Sequence, residues 1–275
     1  MKKILLTIFA VMLLAAMNTA AWANGPYTAS LPRVGGIPTP HQTGTPSNHV
    51  PDVYNAINLL LGSSYGSNAA VDPLEYTGPT SVWENVGASD HGGAALVGLS
   101  AANANTLEVY NTATPATKVD IFGGSFSGFG FVGDGTSTHP FPGAAVPFAT
   151  GTSFGWSLNS VGHTSNVWDS NPASNWDHID HLLVYHLTPL AGKTVWIQDT
   201  QTLKLKQYTY QDPYLLAWED QQLNHNGVYS DQDYNDMMYV VDRVVPVPEP
   251  MTLALFTLGL MGIAAFGLRR KMVLA

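Results

Sequence analysis

The sequence predicts an all-β protein: a β-sandwich, with the jelly roll as candidate topology and one short N-terminal helix. Three observations lead there. Charged residues make up only 11% of the 275, while 26 Gly and 18 Pro punctuate the chain; soluble domains average roughly 25% charged residues. Between those punctuation points the apolar residues fall in short runs rather than at helical spacing. In the clearest run Phe154, Trp156 and Leu158 alternate with Ser153, Gly155 and Ser157, as expected where successive side chains leave opposite faces of a strand. The chain has no Cys, which excludes disulfides, thiolate metal sites and a Cys nucleophile.

In chain order, Met1-Lys2-Lys3 is a basic start and residues 4–16 are apolar. Ala21-Trp22-Ala23 supplies an A-x-A cleavage site, so residues 1–23 read as a signal peptide and the mature chain begins at Asn24. Residues 24–49 contain five prolines and no apolar period, and read as an extended leader. Residues 51–62 are the one helix: Val53, Ile57, Leu60 and Leu61 share a face, Asp52 sits in the first turn, and Gly62 suits the C′ position. That helix should cap one side or end of the sheets. Strands are expected at 82–86, 94–99, 106–110, 118–122, 153–158, 179–187, 194–198, 203–206, 214–219 and 235–242. No repeat or linker divides residues 24–246, which read as one extracellular domain.

The C-terminal residues 247–275 form a separate address. Val247-Pro248-Glu249-Pro250 precedes 18 uncharged, mostly apolar residues, 251–268, and Arg269-Arg270-Lys271 follows. Eighteen helical residues span roughly 27 Å, close to the thickness of a bilayer core, and the basic cluster would hold its end in the cytoplasm. This order of parts resembles the PEP-CTERM sorting signal of Gram-negative bacteria. The resemblance implies transient anchoring in the inner membrane and cleavage near Pro248 to Pro250 by an exosortase-type membrane protease. It also implies an export route that accompanies exopolysaccharide production. Without its two addresses the body keeps six basic and 19 acidic residues, a net charge of −13. Such a body repels nucleic acid and anionic lipid, and suits cations or neutral partners such as glycans.

The acidic residues cluster late. Glu219 and Asp220 end one apolar segment; Asp231, Asp233, Asn235 and Asp236 precede the next, and no Lys or Arg lies between Lys206 and Arg243. Asp231-x-Asp233-x-Asn235 begins like an EF-hand loop, yet Asp236 occupies the place of the required Gly, and 237–241 read as strand up to Asp242. An EF-hand is therefore rejected. The connection 220–233 is fourteen residues long, against the 2–5 usual for hairpins. A cation bridging its ends would tie it down. An oxygen-rich set suits calcium, with Glu219, Asp220, Asp231, Asp233, Asn235 and Asp236 as candidate ligands. The alternative is turn chemistry, with the carboxylates accepting backbone hydrogen bonds. Ala217-Trp218-Glu219-Asp220 followed by Asp231-x-Asp233-Tyr234-Asn235-Asp236 resembles the signature of bacterial domain of unknown function forty-one fourteen. That likeness covers about 177–245 and implies a surface-associated, calcium-binding β domain with no known enzymatic activity.

Other motifs weigh less. Gly151-x-Ser153-x-Gly155 matches a nucleophile elbow, but Trp156 to Leu158 continue as a strand where a helix is required. Gly128-x-Gly130-x-x-Gly133 is followed by Asp134-Gly135, not by a helix, so the glycines fit strand packing better than a dinucleotide. His178 and His181 would point to opposite faces of a strand, which disfavours zinc unless 177–180 turn. The tryptophans belong mainly to the core, with one or two available for stacking on sugars. The reading is an exported, non-enzymatic, calcium-stabilised surface or exopolysaccharide-matrix protein. A glycan-binding module is the alternative, and an exported hydrolase using Ser153 or a carboxylate pair is the second.

Overall fold

The computed structural model describes residues 53–62, 72–76, 78–87, 92–162, 166–178, 180–221 and 234–247. The signal peptide with Ala21 and Ala23, the leader, the loop residues Asp231 and Asp233, and the tail from Pro248 through Arg269, Arg270 and Lys271 lie outside them. So does the 251–268 span; among the described residues no helix is long and apolar enough to cross a membrane.

The described chain is β throughout apart from one α-helix, α1 (Val53–Leu61), and short 3-10 turns. Gly62 ends α1 at φ +104°, and its N–H donates to Asn58 O (2.8 Å), as a C′ glycine should. The strands are β1 (Trp83–Asn85), β2 (Gly93–Asn111), β3 (Lys118–Asp120), β4 (Phe126–Phe131), β5 (Phe141–Ala145), β6 (Ser153–Val161) and β7 (Asn166–Asp169). β8 (Leu182–His186), β9 (Thr194–Asp199), β10 (Leu205–Thr209), β11 (Tyr214–Trp218), β12 (Met237–Asp242) and β13 (Val244–Pro246) complete the set.

Two expected strands, 94–99 and 106–110, are one 19-residue strand, β2. The intervening segment stays paired, with β4 up to Ala101 and with β6 from Ala104, and a register shift against β4 absorbs the irregularity between Ala101 and Asn105. Strands β4, β5, β7 and β13 were not anticipated, because Gly and Pro within or beside them hide the alternation. The 203–206 strand begins instead at Leu205, with Leu203 at φ +56° in the preceding turn.

The sandwich expectation is met in altered form: a single continuous sheet curls over itself rather than two separate sheets stacking. β2 makes the fold. Its first half lies between β5 (Gly93↔Ala145) and β12 (Asp242↔Gly93), in the order β10-β9-β5-β2-β12-β11-β8. Its second half pairs with β6 from Ala104↔Val161 to Asn111↔Phe154, and β6 continues to β7 and to β1, which carries β13. All pairings are antiparallel except β5 with β9.

One core fills the space between the layers: Leu96, Leu216, Trp218 and Tyr239 from one meet Leu107, Trp156, Leu158 and Trp168 from the other. The opposite face of the first layer, with Val97, Leu215, Ala217 and Val240, packs under Val53, Ile57 and Leu60 of α1. β11 and β12 are therefore covered on both sides, and every residue in them is buried.

Packing between β2 and β6 leaves no room beside Gly155, where an added Cβ would overlap the ring of buried Tyr110. Gly155→Ala should cost about 1–3 kcal/mol, as overpacking does. Urea unfolding of residues 24–247 tests this, and a midpoint equal to that of the unsubstituted protein would refute the packing.

Candidate metal centre

The end of β11 and the start of β12 meet where the long loop leaves the sheet. Pairing of Trp218 with Met237 puts Glu219 and Asp220 opposite Asp236. One carboxylate oxygen from each of Glu219, Asp220 and Asp236 lies within 4.8 Å of the other two, and all three residues are buried. Asn235 is buried beside them. Of the six ligands expected from sequence, Glu219, Asp220 and Asp236 come together, Asn235 is buried next to Asp236 in the chain, and Asp231 and Asp233 are not among the described residues.

The surrounding chain holds the carboxylates in place. Asn103 Nδ2 donates to Asp220 Oδ1 (3.1 Å) and Asn105 Nδ2 to Asp220 Oδ2 (2.7 Å), both from β2. Asp220 N–H donates to Asp236 Oδ2 (2.8 Å), which ties the two loop ends together directly. Gln221 N–H donates to Glu219 Oε1 (3.2 Å). Trp168 Nε1 donates to the carbonyl of Asp220 (2.9 Å), and its ring stacks on that of His181 at 3.6 Å. His181 is wholly buried, with Nδ1 3.1 Å from the Glu219 carbonyl and Nε2 3.0 Å from Asp177.

Asn103, Asn105, Trp168 and His181 were not singled out from the sequence as parts of this site. A signal existed for the first two. Asn is depleted in strands, and Asn103-x-Asn105 puts two on one face of β2. Tyr234 enters the site at φ +54°, a left-handed conformation unusual for an aromatic residue. Strain of this kind costs about 1–3 kcal/mol and gathers at ligand sites. Its hydroxyl donates to the Asp180 carbonyl (3.1 Å).

The donor set fits a hard cation. It is all oxygen, it is withdrawn from water, and its recorded hydrogen bonds to Asp220 come from neutral amides and an indole. A further donor lies beside it: Asn105 is fully buried and its Oδ1 has no hydrogen-bond partner among the described residues. Amide oxygens are ordinary calcium ligands.

The competing motifs resolve differently. Ser153 opens β6 after a turn at Gly151 (φ +78°), and the strand runs on to Val161, so no elbow forms. Gly128 and Gly130 lie inside β4. His178 is exposed at φ +57° while His181 faces the core, so the pair does not converge. Asp242 ends β12, at the opposite end of the strand from Asp236, and is bonded by Tyr208 Oη (2.8 Å) and Asp212 N–H (2.7 Å). That separation agrees with the rejection of an EF-hand.

Residues 246–271 match the PEP-CTERM protein-sorting motif. The chain carries a PEP-CTERM tail. The motif marks an exported protein of Gram-negative bacteria, anchored transiently in the membrane and processed by an exosortase. Residues 148–243 match Domain of unknown function (DUF4114), which extends the resemblance back to include β6 and β7. β2, which supplies Asn103 and Asn105, lies outside that match. No curated protein matches the chain. Among solved structures, the lectin CV2L of Chromobacterium violaceum, in complex with alpha-methyl-fucoside, aligns at 14% identity. It covers 62% of this chain and 98% of its own at a TM-score of 0.30. An overlap that low carries no inference about fold or ligand.

Beside the centre, burial of Asp180 pushes its carboxyl up to about 7, opposed by a hydrogen bond from Leu182 N–H (3.0 Å). A carboxyl raised on folding adds stability that is full below its unfolded value near 4 and lost as pH rises through 7. Asp180→Asn should therefore flatten the decline in stability between pH 4 and 8, by roughly 4 kcal/mol at most. Denaturant midpoints of both proteins across that range in calcium-free buffer measure it; parallel curves would overturn the assignment.

Proposed function

We propose that the protein is a non-enzymatic component of the cell surface or exopolysaccharide matrix whose folded body is stabilised by calcium. The observation that carries this reading is the buried oxygen set of Glu219, Asp220 and Asp236 with Asn105 Oδ1 beside it. Like charges withdrawn from water are costly unless a cation is supplied. Asn235 completes the described donors, and Asp231 and Asp233 are the residues in sequence that would supply more of the 6–8 oxygens calcium takes. A bound cation would staple the long loop's two ends to β2 and so join the two layers at that end.

Calcium at 100 times its dissociation constant adds about 2.7 kcal/mol to folding, worth roughly 5–10 °C in a body of this size. Thermal unfolding of residues 24–247 with calcium and with chelator is the test. Asp220→Asn with Asp236→Asn should abolish the difference, and Asp231→Ala with Asp233→Ala should reduce it. An unchanged midpoint in the unsubstituted protein would end the calcium reading.

A glycan-binding role is a second reading, favoured by one observation. Trp83, Trp156, Trp168 and Trp218 are fully buried, but Trp176 is 55% exposed and its ring lies 6.4 Å from Trp168, which bonds the Asp220 carbonyl. An exposed indole on a rigid aromatic support is a stacking platform for a sugar ring. Retention on a column of the producing bacterium's exopolysaccharide, lost in Trp176→Ala, would support it. Equal retention of both proteins would remove it.

A further inference from the structure

The sorting motif and the folded sheet share residues. The PEP-CTERM match begins at residue 246, yet Pro246 is the last residue of β13, opposite Trp83. The pairing continues outward: Val247 N–H donates to Val82 O (2.9 Å), and at the other end Val86 N–H donates to Arg243 O (2.9 Å). Among the described residues β13 pairs with β1 alone, so it is an edge strand. Val244 is buried in the core while Val245 and Pro246 are half-buried. Pro248, Glu249 and Pro250 follow immediately, and the apolar span begins at 251.

Two physical constraints then conflict. Four residues from Val247 reach at most roughly 14 Å, so an anchored body has its β1–β13 edge against the membrane. A protease binds its substrate as an extended strand whose own backbone groups pair with the enzyme, and those groups around residues 245–247 are already paired with β1. We propose that β13 is a latch on processing: it must separate from β1 before the membrane protease can engage the Pro-Glu-Pro segment. Short terminal edge strands lie at the low end of local opening energies, so the latch opens without unfolding of the body. Each opened residue adds roughly 3.5 Å of reach. The inference rests on exosortase processing of the tail and is independent of calcium and of glycan.

The absence of Cys from the chain makes the test clean. Glu84 and Val245 are directly opposed and half-buried; opposed strand residues lie roughly 4.5–5.5 Å apart at Cα, within disulfide reach. The full-length chain carrying Glu84→Cys and Val245→Cys is expressed in a host with the exosortase, and conversion of precursor to shortened product is followed with and without reductant. Gln198→Cys with Leu205→Cys, opposed in the exposed β9–β10 pair, is the control crosslink.

The oxidised latch variant should be processed roughly tenfold more slowly or not at all, because opening then governs access. Reductant should restore it, and the control should behave as the unsubstituted chain. A Gly/Ser insert of about ten residues after Val247, roughly 17 Å of coil, should rescue the oxidised variant. In the opposite direction Val245→Pro, which removes a strand N–H, should speed processing; this arm decides the matter if the crosslinked chain fails to fold. Unimpeded processing of a chain whose disulfide is verified by thiol alkylation would overturn the latch. So would failure of the insert to rescue, or an unchanged rate in Val245→Pro. If the unsubstituted chain is not shortened, the processing reading falls and takes the latch with it.

Discussion

The withdrawal of Glu219, Asp220 and Asp236 from water is the constraint around which this end of the fold is built. Three carboxylates cannot share a dry corner of a sandwich without compensation. The chain supplies part of it with short neutral donors: two amides from β2 grip the two oxygens of Asp220, and the backbone of Asp220 holds Asp236. Hydrogen bonds to a charged acceptor are among the stronger ones available. They orient the oxygens, but amides bring no positive charge. The left-handed backbone at Tyr234 lies where the chain re-enters the sheet just before Asp236.

What brings these donors to the carboxylates is the length of β2. Its first half belongs to the layer containing β11 and β12, and its second half to the layer containing β6. Asn103 and Asn105 fall at the crossing, where one strand can reach the ends of β11 and β12 while still paired with its own neighbours. The same crossing gives the first layer a core on each face. The inner one holds the four fully buried indoles, with Trp83 edge to face on Trp156 and Trp168 stacked on His181, whereas the outer one mixes aliphatic residues with Phe141, Tyr185, Tyr210 and Tyr234 and is closed by α1. Large rings fill the space between two twisted layers, and a short amphipathic helix suffices to cover one remaining face.

The body and its address are also physically continuous. Pro246 is at once the last residue of β13 and the first of the matched sorting motif, so the motif starts within the sheet. Edge strands are the parts of a sheet most able to exchange one backbone partner for another.

How much of this could be read from the residues depends on the range of the signal. The Pro-Glu-Pro tail, the Val53–Leu61 helix and the alternation in β6 are local, contiguous patterns. Each is written in neighbours and was legible. The acidic cluster was legible as a composition, and the rejection of an EF-hand followed from one missing glycine. Other features depended on residues far apart in sequence. Asn103 and Asp220 are separated by 117 positions, and nothing near either names the other. The fusion of two expected strands into β2, the single curled sheet in place of two, and the choice of Trp176 as the exposed indole were likewise decided by long-range pairing. Sequence alone determined the sorting tail, the β class and the clustering of acidic residues at the ends of one loop. Tertiary structure decided which oxygens meet and what holds them, because a strand's partners are selected by the burial of whole layers and not by its own residues.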